Sequence, residues 1–257
     1  MNIPAELSAL LAAAGHVAVL TGAGISAESG VPTFREAQTG LWARYDPEQL
    51  ATPEAFVSNP QLVWEWYTWR RGLVSTVEPN PAHYALAEMA ARVPRFTLIT
   101  QNVDGLHQCA GSEGVIELHG NIVRSKCFDC QRTAFNVQEL QEITRQTPPR
   151  CEYCGGMLRP DVVWFGETLP VDALNRAYDA SRSCDLFFSI GTAALVHPAA
   201  SLPVQALSQG IPTVEVNPQA TPLTASVTYV LNGPAGEVLP QLVQATWSDQ
   251  ENAARTL

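Results

Sequence analysis

The sequence has little positive charge and no long apolar run. Over 257 residues, 15 Lys and Arg stand against 25 Asp and Glu, which gives a formal net charge of -10. A protein that holds nucleic acid through its phosphates needs a basic footprint, so we expect no nucleic-acid partner. No stretch approaches the roughly 18 apolar residues of a membrane-spanning helix, so we expect no membrane partner either.

Basic residues are also absent from the start of the chain, where the first one is Arg35. A secretory signal needs positive charge ahead of its apolar run, so the stretch 4–20 does not qualify and we expect a cytoplasmic protein. Thiols stay reduced in that compartment, and the six cysteines therefore need a role other than disulfides.

Four of the cysteines form two CxxC pairs, Cys127/Cys130 and Cys151/Cys154, separated by twenty residues. Paired CxxC motifs are typical of a tetrahedral Zn²⁺ bound by four thiolates, and a redox pair or chance spacing is the alternative. Because protein would fill all four positions, we predict one structural Zn²⁺ and no catalytic metal. Cys109 and Cys184 are expected to be small core residues.

Strand and helix patterns alternate along the chain, and 46% hydrophobic residues exclude general disorder. The continuous apolar runs of buried parallel strands occur at Val17–Thr21, Phe96–Thr100, Val115–Leu118, Leu186–Ile190, Thr213–Asn217 and Thr228–Leu231. Helical patterns lie at Ala5–Ala14, Pro81–Ala91, Val171–Ser183, Pro198–Ser208 and Glu237–Thr246. The prediction is an α/β fold with a parallel sheet of about six strands and helices on both faces.

Two segments interrupt this alternation. Residues 36–78 hold four tryptophans and no convincing strand, and residues 121–159 hold the CxxC pairs. We predict that these two segments form a small helical and zinc-binding domain. Residues 1–35, 79–120 and 160–257 would form the large domain.

The first predicted strand runs into a glycine-rich loop. Gly22, Gly24 and Ala27 fit the pattern G-x-G-x-x-G/A, with which a backbone approaches a pyrophosphate at the end of the first strand of such a sheet. The acidic residue expected about twenty positions later is missing. The loop therefore indicates a dinucleotide site unlike that of an ordinary dehydrogenase, and a tight turn without a ligand is the alternative.

Polar residues also follow the other strands, at the sheet edge where ligands of α/β proteins lie. Gln101, Asn102 and Asp104 are placed for a ribose and a carboxamide, although Asn102 or Asp104 could instead cap a helix. Small or polar residues recur after the fourth and fifth strands, at Gly191, Thr192, Ala193, Asn217, Pro218 and Gln219.

His119 follows the third strand at the same edge, where a neutral imidazole could act as a general base. A structural histidine is the alternative. The remaining four, at 16, 83, 107 and 197, lack such a setting, although His107 could orient its neighbours.

Taken together, these motifs resemble the sirtuins, NAD-dependent protein lysine deacylases. The resemblance covers about residues 10 to 243 and rests on six motifs: Gly22–Ser26, Gly30–Arg35, Thr100–His107, His119–Gly120, the four cysteines and Val163–Glu167. It implies a Rossmann-like large domain, a small zinc domain, and NAD and an acylated lysine meeting between them.

The resemblance also implies residue roles. His119 would be the general base, with Asn102 beside it at the reacting ribose. NAD would be contacted by Gly22, Ala23, Gly24, Ser26, Glu28, Thr33, Phe34, Arg35, Gln101, Asn102, Asp104, Gly191, Thr192, Ala193, Asn217, Pro218, Gln219 and Ala235. The substrate peptide would add a strand along Val163, Trp164, Phe165, Gly166 and Glu167. The family usually has Ser at position 193, so a hydroxyl contact to the cofactor is lost here.

The acyl group is suggested by Tyr67 and Arg70, which share one face of a predicted helix over 64–71. An arginine fork and a phenol suit a carboxylate, while solvated arginines on an amphipathic helix are the alternative. Tyr-x-x-Arg here resembles the class III sirtuins, which remove succinyl, malonyl and glutaryl groups, and Ala37 leaves room for a longer acyl tail.

The expected function is therefore NAD-dependent removal of succinyl or malonyl groups, and more weakly acetyl groups, from protein lysines. Nicotinamide and O-acyl-ADP-ribose would be the other products, and we expect a monomer. A plain lysine deacetylase and an ADP-ribosyltransferase are alternatives on the same scaffold. A zinc-ribbon module for nucleic acid and a catalytically silent NAD sensor are further alternatives, which the acidic charge and the presence of His119 and Asn102 disfavour.

Overall fold

A computed structural model describes residues 3–31, 46–134 and 147–254. Its strands are β1 His16–Thr21, β2 Arg95–Thr100, β3 Ile116–Glu117, β4 Gly120–Cys127, β5 Thr133–Ala134, β6 Leu158–Val162, β7 Leu186–Ile190, β8 Thr213–Asn217 and β9 Tyr229–Asn232. Its α-helices are α1 Ala5–Ala13, α2 Pro47–Leu50, α3 Pro53–Ser58, α4 Pro60–Val74, α5 Pro81–Arg92, α6 Leu106–Cys109, α7 Val171–Ser183, α8 Ser201–Ser208 and α9 Ala235–Ala254.

Six strands form one parallel sheet in the order β3-β2-β1-β7-β8-β9, which confirms the predicted fold class. Every residue of β1 is buried, as expected for a central strand covered on both faces. In this sheet β2 lies on one side of β1 and β7 on the other, so the strand order reverses between β1 and β7. The carboxyl ends of β1 and β7 therefore border the crevice in which α/β proteins bind their ligands.

Helices cover both faces of this sheet. On one face α1, α5 and α9 pack Leu7, Leu86 and Leu242 against the strands, and on the other α7 and α8 contribute Ala177 and Leu202. The five helices predicted from the alternation are all present, and the helix predicted over 64–71 lies within α4. α8 begins at Ser201 rather than Pro198, and α9 runs further in both directions than the predicted 237–246.

A second, smaller sheet is antiparallel, in the order β5-β4-β6. Helices α3 and α4 pack on it through an aromatic core that contains Phe56, Trp66 and Trp164. Asn59 caps α4 and Pro60 fills its first position, so this helix begins where a side-chain acceptor and a residue without a backbone N–H come together.

Buried Arg71 fastens α4 to the smaller sheet. Its guanidinium donates to the carbonyl oxygens of Ile122 and Arg124, at 2.6 and 2.9 Å, and to the Ser125 hydroxyl at 2.9 Å. Burial lowers the pKa of Arg71 to about 10. The charge is therefore held by main-chain dipoles at the junction of the helix and the sheet.

Four residues of the predicted site, Thr33, Phe34, Arg35 and Ala37, lie outside the described residues. Within the described ranges, each helix is too short or too polar to cross a bilayer.

Candidate active site

The four predicted metal ligands converge. The sulfur atoms of Cys127, Cys130, Cys151 and Cys154 lie within 4.8 Å of one another, with Cys127–Cys154 at 3.4 Å and Cys130–Cys151 at 3.8 Å. Four thiolates at about 2.3 Å from one Zn²⁺ would be about 3.8 Å apart. The cluster therefore fits one tetrahedral structural zinc, as the sequence predicted.

The glycine-rich loop brings two backbones together at the carboxyl ends of β1 and β7. Gly24 donates its N–H to the Gly191 carbonyl oxygen at 2.8 Å, and Gly22 donates to Ile190 at 3.0 Å. A Cβ at Gly22 or Gly24 would lie 2.8 or 2.7 Å from the Gly191 oxygen, and Gly191 has φ +60°. Only glycine permits this approach, which leaves bare backbone at the crevice.

Glu28 links the same loop to helix α9. Its carboxylate accepts the N–H of Gly236 at 2.7 Å, in the first turn of α9. A carboxylate at this position complements the positive end of the helix dipole. The predicted NAD contact Ala235, one residue earlier in the chain, is buried and belongs to the apolar core of the large sheet.

Ser26 is the hub of a buried polar cluster. Its hydroxyl donates to Asp104 at 2.8 Å and accepts the Asn102 side-chain amide at 3.0 Å. Burial raises the pKa of Asp104, which also accepts the Leu106 N–H at 3.0 Å. Three residues predicted to contact the cofactor are therefore bound to one another before any ligand enters.

His83 completes this cluster, although its place in the sequence indicated no functional role. Its Nδ1 accepts the backbone N–H of Asn80 at 3.2 Å, which leaves the proton on Nε2, 3.4 Å from the Ser26 hydroxyl. His107 packs 4.9 Å away, ring to ring, and contacts the Thr21 hydroxyl at 2.9 Å. Burial lowers the pKa of His83 to about 4 and that of His107 to about 3.

Two side-chain amides bind Thr192 at the carboxyl end of β7. Gln101 donates to the Thr192 hydroxyl at 3.0 Å, and Asn217 donates to the Thr192 carbonyl oxygen at 2.9 Å. Ala193, Pro218 and Gln219 follow these anchors and are exposed. The ends of β2, β7 and β8 are thereby joined around Thr192.

His119 lies between β3 and β4, where the large sheet meets the smaller one. Its Nδ1 lies 2.8 Å from the Gln101 carbonyl oxygen, a partner that can only accept a hydrogen bond. Nδ1 therefore carries the proton, and Nε2 of the neutral ring has a free lone pair. Burial lowers the pKa of His119, while the bond to Gln101 opposes that shift.

Directly after β6, residues 163–167 form a turn beside His119. Val163 donates its N–H to the His119 carbonyl oxygen and Phe165 donates to Ala51, both at 2.9 Å. Phe165 is 47% exposed and Gly166 has φ +84°, so the tip of the turn faces solvent. Glu167 is turned inward to Arg159, with which it forms an ion pair.

Tyr67 and Arg70 lie together on α4, as the three-residue spacing predicted. The Arg70 guanidinium is 5.8 Å from the Tyr67 ring and 5.0 Å from that of Trp66. The Tyr67 hydroxyl accepts the indole N–H of Trp164 at 2.9 Å. Burial raises the pKa of Tyr67, so the phenol keeps its proton.

A parallel sheet with bare glycine backbone after its first strand, and polar side chains after three further strands, defines an α/β protein of the dinucleotide-binding class. A sequence profile described as "Sir2 family" matches residues 22–198. The chain belongs to the Sir2 family.

Individual relatives agree with this assignment. A protein of Methylococcus capsulatus named "NAD-dependent protein deacylase" is 52% identical over 249 residues, which are 95% of this chain and 98% of that one. A protein of the same name from Aquifex aeolicus is 56% identical, over 81% of this chain and 86% of the relative. The crystal structure of a Sir2 homolog–NAD complex superposes with a TM-score of 0.89 at 45% identity, covering 96% and 95% of the two chains.

Proposed function

We propose that the protein removes acyl groups from protein lysines with consumption of NAD, and that the preferred acyl groups carry a carboxylate. The deacylase activity, NAD and one structural zinc are supported by family membership, by the relatives' names and by the four-cysteine cluster. A Sir2 structure bound to an acetylated peptide, with a TM-score of 0.81 at 33% identity, supports a lysine side chain of a protein as the substrate.

His119 carries the proposed chemistry. NAD, when bound, supplies a ribose whose bond to nicotinamide is replaced by a bond to the acyl oxygen. With Nδ1 held by Gln101, His119 can take a proton from a ribose hydroxyl only at Nε2. The lowered pKa keeps that nitrogen unprotonated at neutral pH.

Asn102 and Ser26 would place the reacting ribose. The Asn102 amide is already oriented by Ser26, so little rotamer freedom is lost when a ligand binds. Gly22 and Gly24 would leave room for the pyrophosphate, and Gly191, Thr192 and Asn217 would border the adenosine half. Gln101 would lie with Asn102 and Asp104 at the ribose and the carboxamide. We also propose that Thr33, Phe34 and Arg35 contact NAD, as the resemblance implies.

We further propose the predicted division into two domains, with the cleft between them as the place where NAD and the acylated lysine meet. The separate parallel and antiparallel sheets and their separate apolar cores support this division. His119 lies at the connection between the two sheets.

The preference for acidic acyl groups rests on Tyr67 and Arg70. Arginine and a protonated phenol both offer N–H or O–H donors, and such a pair matches a carboxylate better than a methyl group. The aromatic rings beside the guanidinium at 5.0 and 5.8 Å keep it in one region of the site. A plain deacetylase would have no use for two such donors.

The test compares succinyl-, malonyl- and acetyl-lysine peptides of one sequence, with wild type and Arg70→Met. A charge-assisted contact is worth about 1.5–3 kcal/mol, so Arg70→Met should lose roughly 10- to 150-fold more kcat/KM on the succinyl peptide than on the acetyl peptide. Arg70→Lys keeps the charge without the planar fork and should lose less. Equal losses on both peptides would contradict a carboxylate-binding role.

A further inference from the structure

Trp164 belongs to the predicted peptide-binding turn, yet its side chain points away from the tip of that turn. The indole is 2% exposed and packs in the aromatic core between α3, α4 and the smaller sheet, with its ring centroid 5.4 Å from that of Phe56. Its N–H donates to the Tyr67 hydroxyl across 97 residues of sequence. The turn and the acyl-binding helix are therefore joined by one buried hydrogen bond.

Two charged residues hold this indole in place. Glu167 accepts the backbone N–H of Trp164 at 2.8 Å and donates its own N–H back to the Trp164 carbonyl oxygen at 3.0 Å. Arg159, with no exposed side-chain surface, pairs with Glu167 and lies 3.3 Å over the indole ring. Burial acts to raise the pKa of Glu167, but the bonds from Arg159 and Trp164 lower it below its usual value, so the carboxylate stays ionised.

The hydrogen bond decides what Tyr67 can offer. A phenol has one proton to donate and accepts through its oxygen. The indole N–H of Trp164 donates to the Tyr67 oxygen, and no residue in the described parts of the chain accepts the Tyr67 proton. The hydroxyl is thus left as a pure donor, beside an arginine that also only donates.

We propose that Trp164 is a specificity-determining positioning residue: its indole N–H fixes the Tyr67 hydroxyl as a donor toward the carboxylate of an acidic acyl group. This inference rests on the proposed function. Trp164 touches neither the reacting atoms nor the acyl group and acts through Tyr67. Arg159 and Glu167 act one step further back, by holding the indole.

A purely structural role makes a different prediction. If Trp164 only filled the aromatic core, its loss would weaken every substrate to the same degree. The informative quantity is therefore the ratio of kcat/KM on succinyl- and acetyl-lysine peptides of identical sequence, because a common loss cancels in it.

Trp164→Phe keeps an aromatic ring and removes the N–H. We expect the succinyl-to-acetyl ratio to fall about five-fold, the usual effect of one neutral hydrogen bond. The change should appear mainly in KM for the succinyl peptide. Phe56→Leu is the matched control, because Phe56 packs on the same indole without a hydrogen bond; it should leave the ratio unchanged.

A double-mutant cycle separates action through Tyr67 from an independent effect. In a Tyr67→Phe background, Trp164→Phe should change the ratio no further. Should Trp164→Phe fail to fold, Glu167→Gln replaces it, and a lower ratio is expected there too.

An unchanged succinyl-to-acetyl ratio in Trp164→Phe would overturn the inference, and so would a full additional fall of that ratio in the Tyr67→Phe background. Where Glu167→Gln is used, an unchanged ratio in that variant would overturn it as well. A wild type with no preference for the succinyl peptide would overturn the proposed acyl specificity together with this inference. A wild-type preference that survives Trp164→Phe overturns this inference alone.

Discussion

At the scale of single residues, the tautomer of His119 is the decisive feature. A main-chain carbonyl oxygen fixes the proton on Nδ1, so Nε2 is the ring nitrogen that can accept a proton. No titration of a neighbour is needed for this, because a carbonyl oxygen accepts at every pH. The assignment of His119 as general base leads to a direct prediction.

His119→Ala should abolish turnover and leave NAD binding largely intact, because the histidine serves the chemical step rather than the cofactor's affinity. In the wild type, the lowered pKa should place the acid limb of kcat/KM below pH 6.5, the ordinary value for histidine. Kinetics as a function of pH, with NAD titrated calorimetrically into the variant, measure both. Near-normal deacylation by His119→Ala would contradict the assignment.

His83 and His107 form a second residue-scale feature, which affects stability. Both are neutral in the folded protein, with pKa values of about 4 and about 3, whereas an unfolded histidine titrates near 6.5. Between the folded and the unfolded pKa values, these histidines are protonated in the unfolded chain and neutral in the folded one. Their contribution to stability is therefore fully present above pH 6.5 and is lost as the pH falls through about 4 for His83 and about 3 for His107.

His83→Gln should flatten this dependence. At pH 5 the wild type should have lost about 2 kcal/mol through His83 alone relative to pH 7, a loss that glutamine cannot show. Urea unfolding at the two pH values measures the difference for each protein. The same drop in both proteins would mean that His83 does not contribute.

At the scale of elements, the parallel sheet was predictable and much of the polar cluster was not. Continuous apolar runs predict buried parallel strands, and the carboxyl ends of such strands converge, so the groups at Gly22, Asn102, His119 and Thr192 were correctly placed at one edge. These predictions depend on local patterns alone.

Contacts between residues far apart in the sequence could not be predicted, because local patterns carry no information about them. His83 lies 57 residues from Ser26, and its local sequence predicts only a residue in the first turn of α5. The spacing of Asn80 and His83 is compatible with the capping bond that the structure shows, but it gives no indication of the contact with Ser26. Helical spacing placed Tyr67 and Arg70 on one face, but it could not show that Trp164 would reach the phenol across 97 residues.

We expect the small sheet to depend on the predicted zinc, because β5 has only two residues and β6 five, and metal binding contributes to the folding of such small elements. Cys127→Ser should lose the bound zinc and expose the aromatic core through Phe128, which follows the first ligand and packs 5.2 Å from Phe56. Metal content by mass spectrometry and tryptophan fluorescence measure both effects. Cys109→Ser is the control and should retain one zinc per chain, since Cys109 lies outside the cluster. The expectation of a core position for Cys109 was wrong, because its side chain is exposed, whereas Cys184 is buried as expected. Full zinc content in Cys127→Ser would contradict the four-thiolate site.

At the scale of the whole molecule, the net charge of -10 opposes the proposed substrate. An acidic protein repels an anionic acyl-lysine over distances up to the Debye length, about 10 Å at 0.1 M salt. Local donors such as Arg70 have to overcome this repulsion at close range. The bulk charge should in turn attract peptides with basic flanks.

This balance predicts a salt effect on substrate choice. At low ionic strength a succinyl-lysine peptide flanked by arginines should have a lower KM than one flanked by glutamates, and added salt should narrow the gap. Steady-state kinetics from 20 to 500 mM salt test it. A gap that does not change with salt would mean that contacts within the site, and not the overall charge, distinguish the two peptides.

The proposed function requires this Sir2-family chain to transfer an acyl group from lysine to ADP-ribose with release of nicotinamide. The most direct measurement is mass-spectrometric product analysis after incubation of the protein with NAD and a succinyl-lysine peptide. We expect unmodified lysine peptide, nicotinamide and O-succinyl-ADP-ribose in equal amounts. Release of nicotinamide with ADP-ribose attached to an acceptor and the succinyl group still on lysine would contradict it.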